Sequence, residues 1–309
     1  MFSEAAKDRK GKMTLQLRER RSPFIHVNDT TRPGLVCGAF HAISYYIGCP
    51  YRCAYCYLQT TFRGKVQPVA YTNRDKLLSE LDTWLAQPGN LRLNAGELMD
   101  SLALDGVIPL VDDLVPRFAA QDRHKLLLVT KSANIRNLLK HDPRGQVIVA
   151  FSVNAPEVSA AYEHGPPHPM RRIEAAAEVK EAGYHLTLRL DPMIPVEGWR
   201  DAYSRFLEEA CRIVAPDQWT LGSLRYFTSL PVWAKKVGRD PSVFGFAGEW
   251  TPGDRRRRIP LPLRAEMYGM AMNAIRQQHG TVPIRLCKET VALHRRVVTS
   301  QGGCCYSGM

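Results

Sequence analysis

Cys49, Cys53 and Cys56 stand within eight residues, in the run Cys49-Pro-Tyr-Arg-Cys53-Ala-Tyr-Cys56. Three thiolates at C-x3-C-x2-C spacing on one short loop can hold three irons of a [4Fe–4S] cluster and leave the fourth open. Electron-transfer clusters take four cysteines, so a three-cysteine loop points to chemistry at the open iron. The competing readings are chance clustering and a structural zinc site, which usually needs a fourth Cys or His at a matching offset. His41 is near, but it lies inside the apolar run Phe40 to Ile47, which reads as a strand ending in Gly48.

The elements that must carry this loop alternate. Strands are expected at His41–Ile47, Leu91–Asn94, Lys125–Thr130, Gln146–Val153, His185–Leu190 and Gln218–Leu224. Helical spacing marks Leu77, Leu78, Leu81, Trp84 and Leu85, then 110–118, 132–139, 170–182, 199–214 and 264–276. Strands separated by helices imply βαβ units and a parallel sheet. About six units fit, so residues 36–225 read as an α/β partial (β/α)6 TIM-like barrel. Residues 1–35 read as a basic N-terminal arm, mobile or wrapped on the surface, and 226–309 as a C-terminal extension that binds substrate. In such barrels the reactive residues gather at the C-terminal strand ends, and the cysteine loop follows the first strand at that end.

The cysteine spacing resembles that of the radical S-adenosylmethionine (SAM) superfamily. The resemblance implies that SAM binds the open iron through its amino and carboxylate groups. It also implies that one electron, from a donor such as flavodoxin or ferredoxin, cleaves SAM to a 5′-deoxyadenosyl radical. Asn94-Ala95-Gly96-Glu97 is similar to the superfamily's Gly-Gly-Glu motif, which implies Gly96 and Glu97 at the methionyl amino group. Lys131, after the third strand, suits SAM's carboxylate. Ser152 and Asn154, at the end of the fourth, suit the ribose or methionine. Tyr55 falls where members place an aromatic near the adenine. Read alone, each of these polar residues is also an ordinary cap or turn residue.

Within the superfamily the chain resembles the spore photoproduct lyase family, which reverses a methylene-bridged thymine dimer in DNA. The likeness rests on Tyr55-Cys56-Tyr57-Leu58-Gln59-Thr60-Thr61, Val129-Thr130-Lys131, Phe151-Ser152-Val153-Asn154, Tyr162-Glu163-His164-Gly165-Pro166 and Pro192-Met193-Ile194-Pro195-Val196-Glu197-Gly198-Trp199. It implies that Tyr55 and Tyr57 handle radicals near the lesion. One departure stands out. The family uses a cysteine downstream of the cluster as hydrogen-atom donor, and the matching position here is Glu97 or Leu98, with no cysteine between Cys56 and Cys211. Cys211 reads as core. Cys287, Cys304 and Cys305 are the remaining candidates.

Lys plus Arg number 42 against 30 Asp plus Glu, a net charge of +12. Such an excess points to an anionic partner, nucleic acid first, DNA or RNA. Arg255 to Arg258, with Trp233, Lys235, Lys236, Arg239 and Trp250 nearby, suit phosphate contacts and base stacking, although a solvated basic loop has the same composition. No run of 18 apolar residues is present and the first residues lack a secretory pattern. With cysteines around an oxygen-labile centre, this predicts a cytoplasmic protein. The alternatives are a radical SAM enzyme acting on RNA or a small molecule, and a non-catalytic iron–sulfur protein that binds nucleic acid.

Overall fold

The computed structural model describes residues 14–246, 248–250 and 254–297. The chain begins with β1 (Gln16–Arg18) and β2 (Ile25–Asn28), then β3 (Phe40–Ile43) and β4 (Tyr46–Ile47). After the cysteine loop come α1 (Leu58–Thr61), β5 (Val69–Tyr71), α2 (Arg74–Leu85), β6 (Arg92–Asn94), α3 (Leu110–Ala119) and β7 (Lys125–Thr130). The middle comprises β8 (Val147–Val153), α4 (Pro156–Tyr162), α5 (Pro169–Glu181), β9 (His185–Met193), α6 (Trp199–Ile213) and β10 (Gln218–Ser223). Last come β11 (Arg225–Phe227), α7 (Leu230–Lys236), β12 (Glu249–Trp250), β13 (Arg256–Arg258), α8 (Leu261–His279), β14 (Ile284–Leu286) and α9 (Val291–Val297).

Six strands, β3, β6, β7, β8, β9 and β10, lie side by side in chain order, each parallel to the next. This is the expected (β/α)6 core. Every residue of β8 is buried, as a central parallel strand covered on both faces requires. The sheet is wider than expected. β14 adds a parallel strand beside β10, and β2 an antiparallel one beside β3. Residues 16–18 and 25–28, expected in a loose arm, are therefore sheet strands, β1 pairing with β5. The arm's first 13 residues lie outside the described part. A small antiparallel sheet, β11–β13–β12, stands apart from the main one.

Two expected elements differ. The strand 41–47 breaks at Ser44, whose N–H donates to Phe24 O at 2.9 Å, and β4 then turns away to pair with β5. The expected helix 132–139 is only a 3₁₀ turn at Leu138–Lys140. Ser132 N–H donates to Thr130 Oγ1 (2.8 Å) and Asn134 N–H to Ser132 Oγ (3.0 Å), so side-chain turns replace the first helical bonds. Finally, two distant segments clasp. Val36 N–H donates to Glu289 O (3.0 Å) and Val291 N–H to Gly34 O (2.9 Å), around a bridge between Leu35 and Thr290.

Candidate active site

Gly48 sets the entry of the cysteine loop. Its φ is +86°, and a Cβ there would lie 2.5 Å from Gln67 O, so only glycine fits. Cys49 N–H donates to Val66 O (3.1 Å), Arg52 N–H to His164 O (2.7 Å) and Ala54 N–H to Tyr162 O (2.8 Å). The buried Gln59 side chain closes the loop from the other end, its Nε2 donating to the carbonyls of Ala54 (2.9 Å) and Cys56 (3.1 Å). Each anchor lies far from the cysteines in sequence or just past them, so the loop is fixed by the barrel rather than by its own turns.

Cys49, Cys53 and Cys56 line a cavity of about 920 Å³ at the C-terminal end of the parallel strands. Tyr55 and Tyr57 join them from the loop, Gly96 and Glu97 from the end of β6, Lys131 from β7, and Ser152 from β8. Gly96 packs against β7, where a Cβ would lie 2.5 Å from Val129 Cβ. Glu97 Oε1 accepts from Asn28 Nδ2 (3.1 Å) and faces Lys288 Nζ at 3.5 Å. The Tyr57 hydroxyl donates to the Glu97 carbonyl. His41 stays within β3 and accepts from Trp84 Nε1 at 3.0 Å, so it is no ligand to the loop. Cys211, as expected, is buried on α6.

Asn154 does not join the cavity. Its Nδ2 donates to Pro192 O (2.8 Å) and its Oδ1 accepts from Tyr203 Oη (2.9 Å) and Ala155 N–H (3.0 Å). These contacts occupy a fully buried amide, so it ties the end of β8 to the end of β9 and is not a cofactor contact.

Three carboxylates that sequence reasoning did not assign complete the site. Glu163 lies beneath the loop, fully buried. It pairs with Lys131 Nζ (2.8 Å) and Arg172 Nη2 (2.7 Å) and accepts from the hydroxyls of Tyr55 and Ser159. Burial alone would raise its pKa, but Lys131 and Arg172 prevail and hold it at about 2. Asp100 lines the cavity and accepts from Lys131 N–H (2.6 Å), Thr130 Oγ1 (2.6 Å) and Ala103 N–H (2.9 Å). Its pKa is nonetheless raised, because burial outweighs these donors. Asp191, past the end of the expected strand 185–190, is gripped by Arg225 through Nη1–Oδ1 (2.9 Å) and Nη2–Oδ2 (3.2 Å). That pair holds Asp191 below the usual carboxylate range against the cost of burial. The signal for Glu163 is its place in Tyr162-Glu163-His164-Gly165-Pro166. Asp100, a lone Asp in a loop, and Asp191, one residue past the apolar run of its strand, give none.

The donor set fits an iron–sulfur cluster. Burial pushes all three thiols up, and Asp100 and Glu163 push Cys49 and Cys53 further. Buried thiols of this kind ionise only against a strong local cation, which bound iron supplies. A single ion would need its ligands gathered at one point, and among the described residues no three His, Cys, Asp or Glu side chains are so gathered. A cluster needs each thiolate at its own iron.

The same cavity is also lined by cationic and aromatic side chains: Arg32, Arg225, Phe227, Arg255 and Arg256. The run Arg255 to Arg258 is not uniform. Arg255 is exposed, whereas Arg258 is fully buried and paired with Asp254 (Nε–Oδ2, 3.1 Å) and Glu289 (3.8 Å). Arg258 is thus structural. Arg257 lies over the exposed Trp250 ring, 5.0 Å from its centroid, and Arg256 over Phe227, at 5.9 Å. Cys287 is buried, its sulfur accepting from Arg189 Nη2 (3.2 Å) and Arg225 Nη2 (3.3 Å). Cys304 and Cys305 lie outside the described residues. No helix among the described residues is long and apolar enough to cross a membrane.

The chain is similar to the spore photoproduct lyase of Bacillus subtilis (strain 168), 32% identical over 183 residues, covering 59% of this chain and 52% of that protein. It is similar to the spore photoproduct lyase of Geobacillus sp. (strain Y412MC61), 29% identical over 212 residues, 68% of this chain and 60% of that protein. The chain thus spans little more than half the length of the curated relatives it matches. Its fold superposes on a spore photoproduct lyase variant with bound AdoMet and dinucleoside spore photoproduct, with TM-score 0.74 and 22% identity over 88% of this chain and 81% of that one. Residues 3–221 match the family model described as spore photoproduct lyase, so the chain belongs to the spore photoproduct lyase family.

Proposed function

We propose that this protein is a radical SAM enzyme acting on a nucleic acid or nucleotide substrate, with Cys49, Cys53 and Cys56 holding a [4Fe–4S] cluster. The observation that carries the reading is the sharing of one cavity. The three cysteines, Glu97, Lys131 and Ser152 line it together with Arg225, Phe227, Arg255 and Arg256. When bound, the cluster supplies the electron, drawn from a flavodoxin- or ferredoxin-like donor, that cleaves SAM reductively.

The chain's own residues do the rest. Glu97 accepts from SAM's amino group and Lys131 donates to its carboxylate, each a charge-assisted contact. Ser152 bonds the ribose or methionine, and Tyr55 flanks the adenine. Glu163 orients both Lys131 and Tyr55 and stays ionised while doing so. The exposed Arg255 takes phosphate, and Phe227 stacks on a base. A base inside a duplex must leave the stack to reach such a cavity. The bound dinucleoside photoproduct of the related structure and the family membership support a damaged pyrimidine as substrate.

The thiols that line this cavity, among the described residues, are the three of the cluster loop. This favours a second reading on the product side: the substrate radical is quenched by a group other than a thiol at the family's usual place, or the reaction is a modification instead of a reversal. An anaerobic reaction with SAM, dithionite and deuterated dinucleoside spore photoproduct separates these. Deuterium in 5′-deoxyadenosine together with thymine as product supports lesion reversal. Deuterium transfer with another product supports modification. The absence of 5′-deoxyadenosine with lesion, damaged DNA or RNA would remove the radical SAM reading.

A further inference from the structure

Arg239 has no role in the site described above. It follows α7, which ends at Lys236 and turns through Gly238 at φ +69°. Arg239 N–H donates back to Ala234 O at 2.8 Å, fixing where the side chain departs. α7 packs against α1, the turn that closes the cysteine loop. Gly64 marks how close that packing is, since a Cβ there would lie 2.9 Å from Val237 Cγ1.

The Arg239 Nε and Nη1 atoms are buried and have no hydrogen-bond partner among the described residues. The adjacent carboxylate does not serve them. Asp240 instead accepts from Ser242 N–H and Oγ, both at 2.8 Å. Arg172 and Arg264, also buried, each find a glutamate. Of these three, Arg239 alone keeps two buried donors with no acceptor and no carboxylate partner among the described residues. The packing of α7 on α1 sets Arg239 beside the cysteine loop, and after burial the charges felt by its guanidinium are those of Arg52, Cys56, Cys53 and Cys49, all on that loop.

We infer that Arg239 is a donor to the iron–sulfur centre, its Nε–H and Nη1–H groups directed at cluster or cysteine sulfur. This rests on the cluster reading above. Sulfur of an iron–sulfur centre accepts such bonds, and nearby positive charge and N–H···S bonds raise its reduction potential by favouring the added electron. The insertion between β10 and α8 would then do more than face substrate. It would set the potential at which the centre accepts its electron.

The test is a potentiometric titration, followed by electron paramagnetic resonance, of anaerobically reconstituted wild type, Arg239→Met and Arg239→Lys, without substrate. Arg239→Met is expected to lower the reduction equilibrium constant about tenfold, a shift of about 59 mV to more negative potential for one electron. Arg239→Lys keeps the charge and loses the fork, so it should fall between. Wild-type potentials in both variants overturn the inference while leaving the cluster reading intact. A wild type that takes up no cluster overturns both. Should Arg239→Met hold no iron, its apo form decides: wild-type thermal unfolding of the apo protein supports the contact, and an unfolded apo protein together with a wild-type potential in Arg239→Lys overturns it.

Discussion

Lys131 Nζ lies 2.8 Å from Glu163 Oε1, so the lysine expected to meet a cofactor carboxylate is already aligned by a protein carboxylate. Glu163 has its own second cation in Arg172 and also takes the Tyr55 hydroxyl. One buried glutamate therefore couples the lysine, the aromatic and the cysteine loop. Its removal should be felt at all three.

Stability should depend on pH through Glu163. Its pKa is lowered from 4.5 to about 2 in the folded chain. A depressed carboxylate adds stability above its unfolded pKa and loses it as pH falls through the folded one. At about 1.4 kcal/mol per pKa unit, the contribution is about 3 kcal/mol. Denaturant titrations of the wild type should show it fully at neutral pH and losing it between about pH 4.5 and 2. Glu163→Gln should flatten that dependence and weaken SAM binding, and an unchanged slope would sink the assignment.

Lys131→Ala and Glu97→Ala should each weaken SAM binding about ten- to a hundredfold, the usual result of removing a charge-assisted hydrogen bond worth roughly 1.5–3 kcal/mol. Asn154→Ala should behave differently. It takes the Asn154 bond from the buried Tyr203 hydroxyl, which keeps Ile194 N–H, and from the Pro192 carbonyl, so unfolding free energy should drop by about 1–3 kcal/mol, with SAM affinity of the folded fraction retained. Isothermal titration and thermal unfolding on the same preparations separate the two behaviours.

Each of Cys49→Ala, Cys53→Ala and Cys56→Ala should lose most iron and sulfide after anaerobic reconstitution. Iron analysis and the visible spectrum check this. A wild-type spectrum in any one of them would show that its thiolate is not a ligand.

Polyanion binding should divide the arginine run. Arg255→Ala and Arg257→Ala should lower affinity for duplex DNA and flatten the log–log salt dependence by about 0.9 for each phosphate that is no longer neutralised. Arg258→Ala should instead destabilise the protein, because the buried Asp254 and Glu289 lose their shared partner and keep only Arg256 and Arg264. Filter binding across a salt series reads the first effect and circular dichroism the second.

The parallel core was legible because β7 and β8 are apolar runs bounded by turn signals, and α6 has its apolar residues on one face. The cysteines were legible because their spacing is a local property. The short edge strands β1, β2 and β14 were not, since three or four residues carry no periodicity and their pairing is decided by partners far along the chain. Asp100 was hidden for the same reason, and Glu163 showed only as one member of a motif, without its role. What distinguishes them is the convergence of Lys131, Arg172 and Thr130 around them, which only tertiary structure brings about. Asn154 misled because a polar residue at a strand end looks alike whether it faces the cavity or braces the next strand.

The clasp between residues 34–36 and 289–291 has a kinetic consequence. Closing a loop over some 250 residues carries a large entropy cost, and pairings of such separation slow folding. The βα units can pack in the order of synthesis, each against its predecessor. The Glu97–Lys288 pair at the cavity rim sits beside the clasp and must wait for it. The nascent chain therefore cannot close the cavity at Glu97 and Lys288 until residues 288–291 have been made and have met the segment around Gly34.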